Sequence, residues 1–250
     1  MHPHSILAVT DFSTLGDHAL SRAAYLCAAH GAALKLLAIA CPGEPPPPDA
    51  ICRLTHHALQ LCQRHGIRVR SSHRMALRVD DVVREAQHAD LVLWGTAPAG
   101  NLRAFFMGQP VEALIRKARR PVLVVRREAR EAYRRLRLAS DAPSASRRVA
   151  EIALGLGGPD PVRLVHAIEE AELIVVGSRP ASLLADRLLG SSAGRVLRGA
   201  RTDVLVVPHD CQPASGATAI RRLAAEPPVR RVRAGAPQAP AAPNPAAWSA

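Results

Sequence analysis

The chain has 250 residues, of which 48% are hydrophobic, 22% charged and only 3% aromatic. It can therefore bury a sizeable aliphatic core, over one large domain or two small ones. It has no apolar run of the roughly 18–20 residues that a membrane-spanning helix needs, and its first residues lack the pattern of a signal peptide, so we expect a cytoplasmic protein.

The net charge of +12 is unevenly distributed along the chain. Ten Lys or Arg and two Glu lie between Arg116 and Arg137, so this stretch alone carries +8. Such a stretch could bind a polyanion. However, Tyr133 is its only aromatic residue and no motif for reading nucleic acid accompanies it, so the sequence favours a solvated helix face and a linker over a nucleic-acid site.

The five cysteines form no CxxC pair, which predicts reduced and mostly buried thiols. Cys52 with His56, and Cys62 with His65, have the spacing of neighbours on one helix. Ten residues separate the two cysteines, which turns the two pairs roughly 80° apart around the helix axis. They do not converge as zinc ligands would, so no metal site is predicted.

Short apolar runs alternate with segments of helical periodicity through the first half of the chain. Strands are predicted at 6–9, 33–40, within 67–77, at 91–94 and at 121–125. Helices are predicted between them at 17–29, 51–62, 79–86 and 111–118, and the pairs His30-Gly31 and His65-Gly66 are predicted to end the first two. Continuous apolar strands in strict alternation with helices indicate a parallel sheet covered on both faces, so residues 1–126 are predicted to form one complete doubly wound α/β domain.

The second half repeats part of the first. Residues 91–125 align without a gap on residues 173–207 at a shift of 82, and residues 162–171 match the preceding helix. Such an ungapped match indicates an internal duplication. Before residue 162 the shift between the two copies becomes 130, and at this shift Asp141 aligns with Asp11 in sequence.

The change of shift predicts a truncated second copy over 127–208, without the second strand, the second helix and the third strand. Its first strand, at 136–139, would then be an edge carrying arginines. Residues 209–250 contain seven prolines and thirteen alanines. They are predicted to be a disordered tail with at most a short helix at 217–225.

The strand-end sequence VTDFS, the glycine-bearing segment after the fourth strand and the closing PVLVV resemble the universal stress protein family. The resemblance implies a five-stranded parallel sheet in the order 3-2-1-4-5. It also implies ATP or a related adenine nucleotide at the crevice between strands 1 and 4, where the strand order reverses. Asp11 would face the nucleotide. The alternative is that Asp11 is the N-cap of the following helix.

Nucleotide-binding members of the family carry G-x-x-G-x9-G-[ST] after the fourth strand. The first copy reads Gly95-x-x-Pro98-x9-Gly108-Gln109 and the second reads Gly177-x-x-Pro180-x9-Gly190-Ser191. Proline cannot adopt the positive φ of the glycine that it replaces. Ser191 and Ser192 still open a helix whose N-terminus suits phosphate. The implied nucleotide-binding residues are Asp11, Gly95, Gly108, Asp141, Gly177, Gly190, Ser191 and Ser192.

No serine–histidine–acid set and no Walker lysine can be assigned, so we expect a stress-response binding and regulatory protein rather than an enzyme. The first copy keeps the wall for a base and the second keeps the better phosphate loop, which leaves open a composite site across the two copies. The alternative is an interaction module with decayed sites. Family members commonly dimerise through the fifth strand. We therefore expect 122–125 and 204–207 to pair antiparallel in an intramolecular pseudo-dimer, with a homodimer through another surface and an unidentified protein partner left open.

Overall fold

The structure is a computed structural model of the chain, and it describes residues 2–40, 47–95, 110–129, 131–139, 143–157, 162–178, 191–208 and 210–211. In the first copy the elements are β1 (Ser5–Thr10), α1 (Thr14–His30), β2 (Ala33–Ala38), α2 (Ala50–His65), β3 (Arg68–Ser71), α3 (Val79–Ala86), β4 (Leu91–Gly95), α4 (Pro110–Ala118) and β5 (Val122–Val125). In the second copy they are β6 (Arg135–Ala139), α5 (Pro143–Leu154), β7 (Arg163–Leu164), β8 (Leu173–Ser178), α6 (Ser191–Gly199) and β9 (Asp203–Pro208).

The helix ends of the first copy follow directly from local sequence. Ser13 caps α1, because its Oγ accepts a hydrogen bond from the Gly16 N–H. Both α1 and α2 end at a glycine in the left-handed conformation, Gly31 and Gly66, each with φ 65°. Glycine adopts this φ without a Cβ clash, which is why the two His-Gly pairs correctly predicted the helix ends.

The first copy is a parallel sheet in the order β3-β2-β1-β4-β5. Its central strands β1 and β4 are buried along their whole length, as their continuous apolar sequences predict. Helices α1 and α2 cover one face of this sheet, and α3 and α4 cover the other. The predicted fold is therefore confirmed.

Strand register confirms the two shifts of the internal repeat. Leu7 of β1 lies opposite Val92 of β4, and Arg137 of β6 lies opposite Ile174 of β8. Leu7 and Arg137 are 130 positions apart, and Val92 and Ile174 are 82 positions apart, so equivalent residues of the two copies pair in the same register. The second copy is shorter, with its strands in the order β7-β6-β8-β9.

The helix predicted at 162–171 is wrong: residues 163–164 form the two-residue strand β7, and a turn follows. The reason is topological. Helix α5 runs from the carboxyl end of β6 back to the amino end of the sheet, where β8 must begin. A further helix running the same way as α3 would carry the chain past that end, so a short strand and a turn make the connection.

Strand β7 also changes the predicted edge of the second copy. It pairs parallel with β6 only at Arg135 and Leu136, in the position that β2 occupies beside β1. The edge predicted at 136–139 is therefore covered at its amino end and continues as an edge from Arg137 to Ala139.

The two copies join through β5 and β9, which pair antiparallel as predicted. The nine strands of the described residues consequently form one sheet, and the apolar clusters on its two faces both contain residues from both copies. Among the described helices, none is long and apolar enough to cross a membrane.

The expectation of mostly buried thiols holds for Cys27 and Cys211 but is wrong for Cys52 and Cys62, which are exposed. Helix α2 buries the face that carries Leu54 and Ala58, and both cysteines lie outside that buried face. Burial raises the pKa of the Cys27 thiol to about 12, so it stays protonated.

The predicted tail begins later than residue 209. Asp210 pairs with Arg119 at 3.2 Å, and Cys211 is buried with its N–H donated to the Pro208 carbonyl. The packed chain therefore continues to residue 211. The rest of the predicted tail, residues 212–250 with the short helix at 217–225, lies outside the described residues.

Candidate functional site

The crevice of the first copy lies where β1 and β4 end, and the first turn of α1 packs directly against it. A Cβ at Gly95, the last residue of β4, would lie 1.8 Å from the Leu15 carbonyl oxygen and 2.8 Å from the Gly16 nitrogen. A Cβ at Gly16 would in turn lie 2.5 Å from the Thr10 Oγ1. Both glycines are therefore needed so that α1 can approach the strand ends, a role that sequence analysis did not assign to Gly95.

Asp11 follows β1 and is half-buried beside this turn. Its Oδ1 accepts the Ser13 N–H at 3.0 Å and the Ser13 hydroxyl at 2.5 Å. Ser13, not Asp11, is the N-cap of α1, so the capping alternative for Asp11 is wrong. Asp11 instead forms a turn that fixes the capping serine, with its carboxylate at the mouth of the crevice.

The wall on the β2 side of this crevice is present. The Ile39 N–H donates to the Thr10 carbonyl at 2.9 Å, and the Ala40 N–H donates to the Ala76 carbonyl at 2.9 Å. Backbone beyond the end of β2 is thus held next to the end of β1. This is the wall that the resemblance assigns to the base of a nucleotide.

Helix α2 adds side chains to this end of the sheet that sequence analysis missed. The Arg53 guanidinium lies 4.4 Å from the centroid of the Phe12 ring, and the His57 ring lies 6.3 Å from it. Phe12 itself has a positive φ of 62°. The signal was the spacing of Arg53 and His57, which places two cationic or polar groups on one helix face.

The phosphate-binding segment of the first copy lies outside the described residues. This applies to Pro98, Gly108 and Gln109, so their predicted roles stay predictions. Helix α4 begins immediately afterwards, at Pro110. Proline suits the first turn of a helix, where its missing N–H leaves no bond unmade.

The second copy has a different crevice. Gly177 lies within β8, and of the atoms in the described residues a Cβ there would meet only Val149 Cγ2, at 3.3 Å. Ser191 and Ser192 begin α6 as predicted, whereas Asp141 and Gly190 lie outside the described residues. Strand β7 reaches only Arg135 and Leu136, so at the carboxyl end of β6 no described strand lies on the side that faces away from β8.

The two crevices do not come together. Strands β4, β5, β9 and β8 lie between β1 and β6, and the antiparallel β5–β9 pair reverses the strand direction between the copies. The carboxyl ends of the two sets of strands are therefore at opposite ends of the sheet. A composite site built from Asp11 and Ser191 within one chain is excluded by this geometry.

Metal ligands are not grouped in the described part of the chain. No three His, Cys, Asp or Glu side chains gather there in a way that could hold an ion. The Cys and His pairs of α2 are included in this statement.

Comparison with known proteins decides the family. The model of the universal stress protein family matches residues 3–126 and matches again at residues 127–208. This chain belongs to the universal stress protein family. No curated protein matches it.

Solved structures share the fold of this universal stress protein. A functionally unknown protein of Pseudomonas aeruginosa PAO1 is 18% identical, with a TM-score of 0.61 over 89% of this chain and 97% of that chain. A putative universal stress protein of P. aeruginosa UCBPP-PA14 is 17% identical, with a TM-score of 0.60 over 90% and 98%. A universal stress protein of Archaeoglobus fulgidus DSM 4304 is 15% identical, with a TM-score of 0.61 over 82% and 96%. These identities establish a shared fold.

A buried polar cluster fixes the two copies of this universal stress protein to each other. Asp203, at the start of β9, accepts the Tyr133 hydroxyl at 2.5 Å and the Arg126 N–H at 2.8 Å. The Arg22 guanidinium of α1 lies 4.1 Å from the Tyr133 ring centroid and 3.7 Å from the Asp203 carboxylate. Burial, and then the charge of Asp203, raise the pKa of Tyr133 well above its usual value, so the phenol remains a donor.

The same cluster explains part of the basic stretch. Arg126 donates to the carbonyls of Leu197 and Ala200 at the end of α6, where a cation also complements the helix dipole. Tyr133 is only 2% exposed and cannot stack on a base. At least these two residues of the stretch therefore serve the contact between the copies.

Proposed function

We propose that this universal stress protein is a cytoplasmic binding and regulatory module that holds ATP or a related adenine nucleotide in the crevice of its first copy. In this proposal residues 1–126 form the binding domain, residues 127–208 form a truncated domain, Asp210 and Cys211 continue the packed chain beyond it, and residues 212–250 form the tail. The nucleotide changes the surface presented to a protein partner, and no chemical step is assigned to the module.

The observation that carries the proposal is the placement of the Asp11 carboxylate. Ser13 holds one of its oxygens at the end of β1, next to β4 and to the wall formed by Ile39 and Ala40. A carboxylate fixed in this way is ready to accept hydrogen bonds from a nucleoside at the point where the strand order reverses. Gly95 and Gly108 belong to the same proposed site.

The second copy contributes a weaker anion site at most. Gly177, Gly190, Ser191 and Ser192 match the family motif there, together with Asp141 opposite Asp11. The wall for a base is not present among the described residues of this copy. We therefore assign the second copy to the contact between the copies and to partner binding.

The second candidate is an interaction module that binds no nucleotide. It is supported by the contact between Gly95 and the Leu15 backbone, because this glycine is already needed for packing. The substitutions of the motif at Pro98 and Gln109 point the same way, since they remove a positive-φ glycine and a hydroxyl that would face phosphate.

Calorimetric titration of the full chain with ATP, ADP and AMP distinguishes the two candidates. Asp11→Asn keeps the oxygen that fixes Ser13 and removes the charge, so it should weaken binding about tenfold or more without loss of folding. Glu170→Gln, an exposed residue in the turn before β8 of the second copy, is the control for loss of one negative charge and should bind as the parent does. Ser191→Ala should also have no effect. Absence of measurable heat with all three nucleotides would contradict the nucleotide-binding candidate and leave the interaction module.

A further inference from the structure

The second copy contains an apolar groove of about 570 Å³ on the face of the sheet that α6 covers. Its apolar lining includes Ala139 of β6, Ile174 of β8, Val196 of α6 and Ile168 of the turn before β8. Two arginines, Arg137 and Arg195, also line the groove. The groove is therefore bounded by strand and helix surfaces of the truncated copy. It lies outside the crevice assigned above to nucleotide.

In the first copy the surface that corresponds to this groove is covered by α3. The repeat relates Ile174 to Val92 and Val196 to Leu114, and both residues of the first copy belong to the apolar cluster that contains Val82 of α3. In the second copy the segment that matches α3 in sequence forms β7 and a turn instead, and β7 lies within the sheet, in the position of β2. The sheet and α6 of the second copy thus present the surface for an α3-like helix without supplying that helix.

Exposure supports this equivalence. In the first copy, the residues Val9 and Leu114 belong to the apolar cluster that α3 covers, and both are completely buried. Their counterparts Ala139 and Val196 are only partly buried, and Ile168 is 46% exposed. Apolar side chains that stay partly in contact with water gain free energy when another apolar surface covers them.

The charge of the groove indicates which kind of helix would bind in it. The position of the buried Leu7 in the first copy is taken by Arg137 in the second, and Arg195 also lines the groove. In the first copy α3 carries acidic residues at Asp80 and Asp81, and Asp80 forms an ion pair with Lys117 of α4 at 2.6 Å. An acidic amphipathic helix therefore complements both the apolar floor and the arginines.

We propose that this groove binds an acidic amphipathic helix of a partner protein, in the place that α3 occupies in the first copy. The occupant is a second protein rather than the tail of this chain. The helical segment predicted in the tail, residues 217–225, carries Arg221 and Arg222 and no acidic residue. Its charge has the same sign as that of Arg137.

The probe is a capped, fluorescent peptide of residues 77–90, which carries the α3 sequence, titrated into the full-length protein and followed by anisotropy. Saturable binding is expected. Reversing Asp80 and Asp81 to lysine in the peptide should weaken binding by roughly three- to tenfold, the range for partly solvated ion pairs. Arg137→Glu in the protein should weaken the parent peptide by a similar factor and strengthen the reversed peptide.

Arg163→Glu, on the exposed strand β7, is the matched control for charge and should bind the parent peptide unchanged. Val196→Gln tests the apolar floor independently and should weaken both peptides. Circular dichroism establishes that each variant is folded. The proposal is overturned if the peptide affinity is the same for all these variants, or if no saturable binding is seen. Binding that appears only after the chain is cut following Cys211 also overturns it, because the tail is then the occupant.

Discussion

Leu123 of β5 lies directly opposite Leu205 of β9. The two residues are also equivalent in the internal repeat, since they are 82 positions apart. On either side Val122 faces Val206 and Val124 faces Val204, so each of these pairs is the counterpart of the other. A pseudo-two-fold axis therefore passes between the two leucines, and the contact is an isologous interface made within one chain.

A disulfide should form across this axis. In a background without the native cysteines, Leu123→Cys with Leu205→Cys should give an intramolecular crosslink on oxidation, because opposite residues of antiparallel strands have Cα atoms about 4.5–5.5 Å apart. Non-reducing electrophoresis of protein oxidised while folded measures it. The control pair Leu123→Cys with Val175→Cys lies two strands apart, at roughly 10 Å, and should not crosslink. Equal crosslinking of both pairs would contradict the register.

Alanine at the two motif glycines should have unequal effects. Gly95→Ala should lower the free energy of unfolding by about 3 kcal/mol, because its Cβ would overlap the Leu15 carbonyl of α1. Gly177→Ala should change it by less than about 1 kcal/mol, because the one contact of its Cβ with the described part of the chain is a Val149 methyl at 3.3 Å. Urea denaturation measures both. Equal losses would show that the close approach of α1 to β4 is not what requires the glycine.

Truncation should separate the tail from the last packed residue. Cutting the chain after Cys211 should leave the melting temperature within about 1 °C, because the removed residues have no apolar periodicity to bury. Cutting after Pro208 also removes the buried Cys211 and should lower the melting temperature by about 2–4 °C. Differential scanning calorimetry compares them. A large drop for the first cut would mean that the tail packs on the domain.

The buried phenol of Tyr133 should stabilise the polar cluster around Asp203, which joins the copies through Arg22 and Arg126. Tyr133→Phe removes the donor to Asp203 and leaves a buried carboxylate oxygen short of one hydrogen bond, so we expect a loss of about 1–3 kcal/mol in chemical denaturation. Tyr25→Phe is the control, since Tyr25 is only half-buried and meets the His65 ring edge-on. It should cost little. Comparable losses would remove the special role of the Asp203 cluster.

Lowering the pH should reduce the stability of the folded protein because His30 takes up a proton. Burial, and then the nearby charge of His2, lower the pKa of His30 below 6.5 in the folded state. The unfolded chain then binds a proton first, so stability falls as the pH drops from about 6.5 through the folded pKa. The substitution His30→Gln should reduce the loss of stability between pH 7 and pH 5. The same substitution at the exposed His73 should leave that loss unchanged. Urea midpoints across this pH range measure the effect.

The antiparallel pairing of the fifth strands was an expectation from the family resemblance. The order of strands and helices in the first copy and the duplication could be predicted from the amino-acid sequence alone. These features depend on local patterns: continuous apolar strands, His-Gly helix ends at Gly31 and Gly66, and an ungapped repeat. Local conformational preference and burial on both faces act through neighbours in the chain, so a single sequence carries them.

The remaining features depend on contacts between residues far apart in the chain, so they could be seen only in the folded structure. It gave Gly95 a packing role against Leu15, replaced the helix predicted at 162–171 by a short strand and a turn, and put the two crevices at opposite ends of one sheet. Periodicity at 162–171 was compatible with a helix. The direction in which the chain had to travel between α5 and β8 was not, and direction is a property of the whole sheet rather than of the segment.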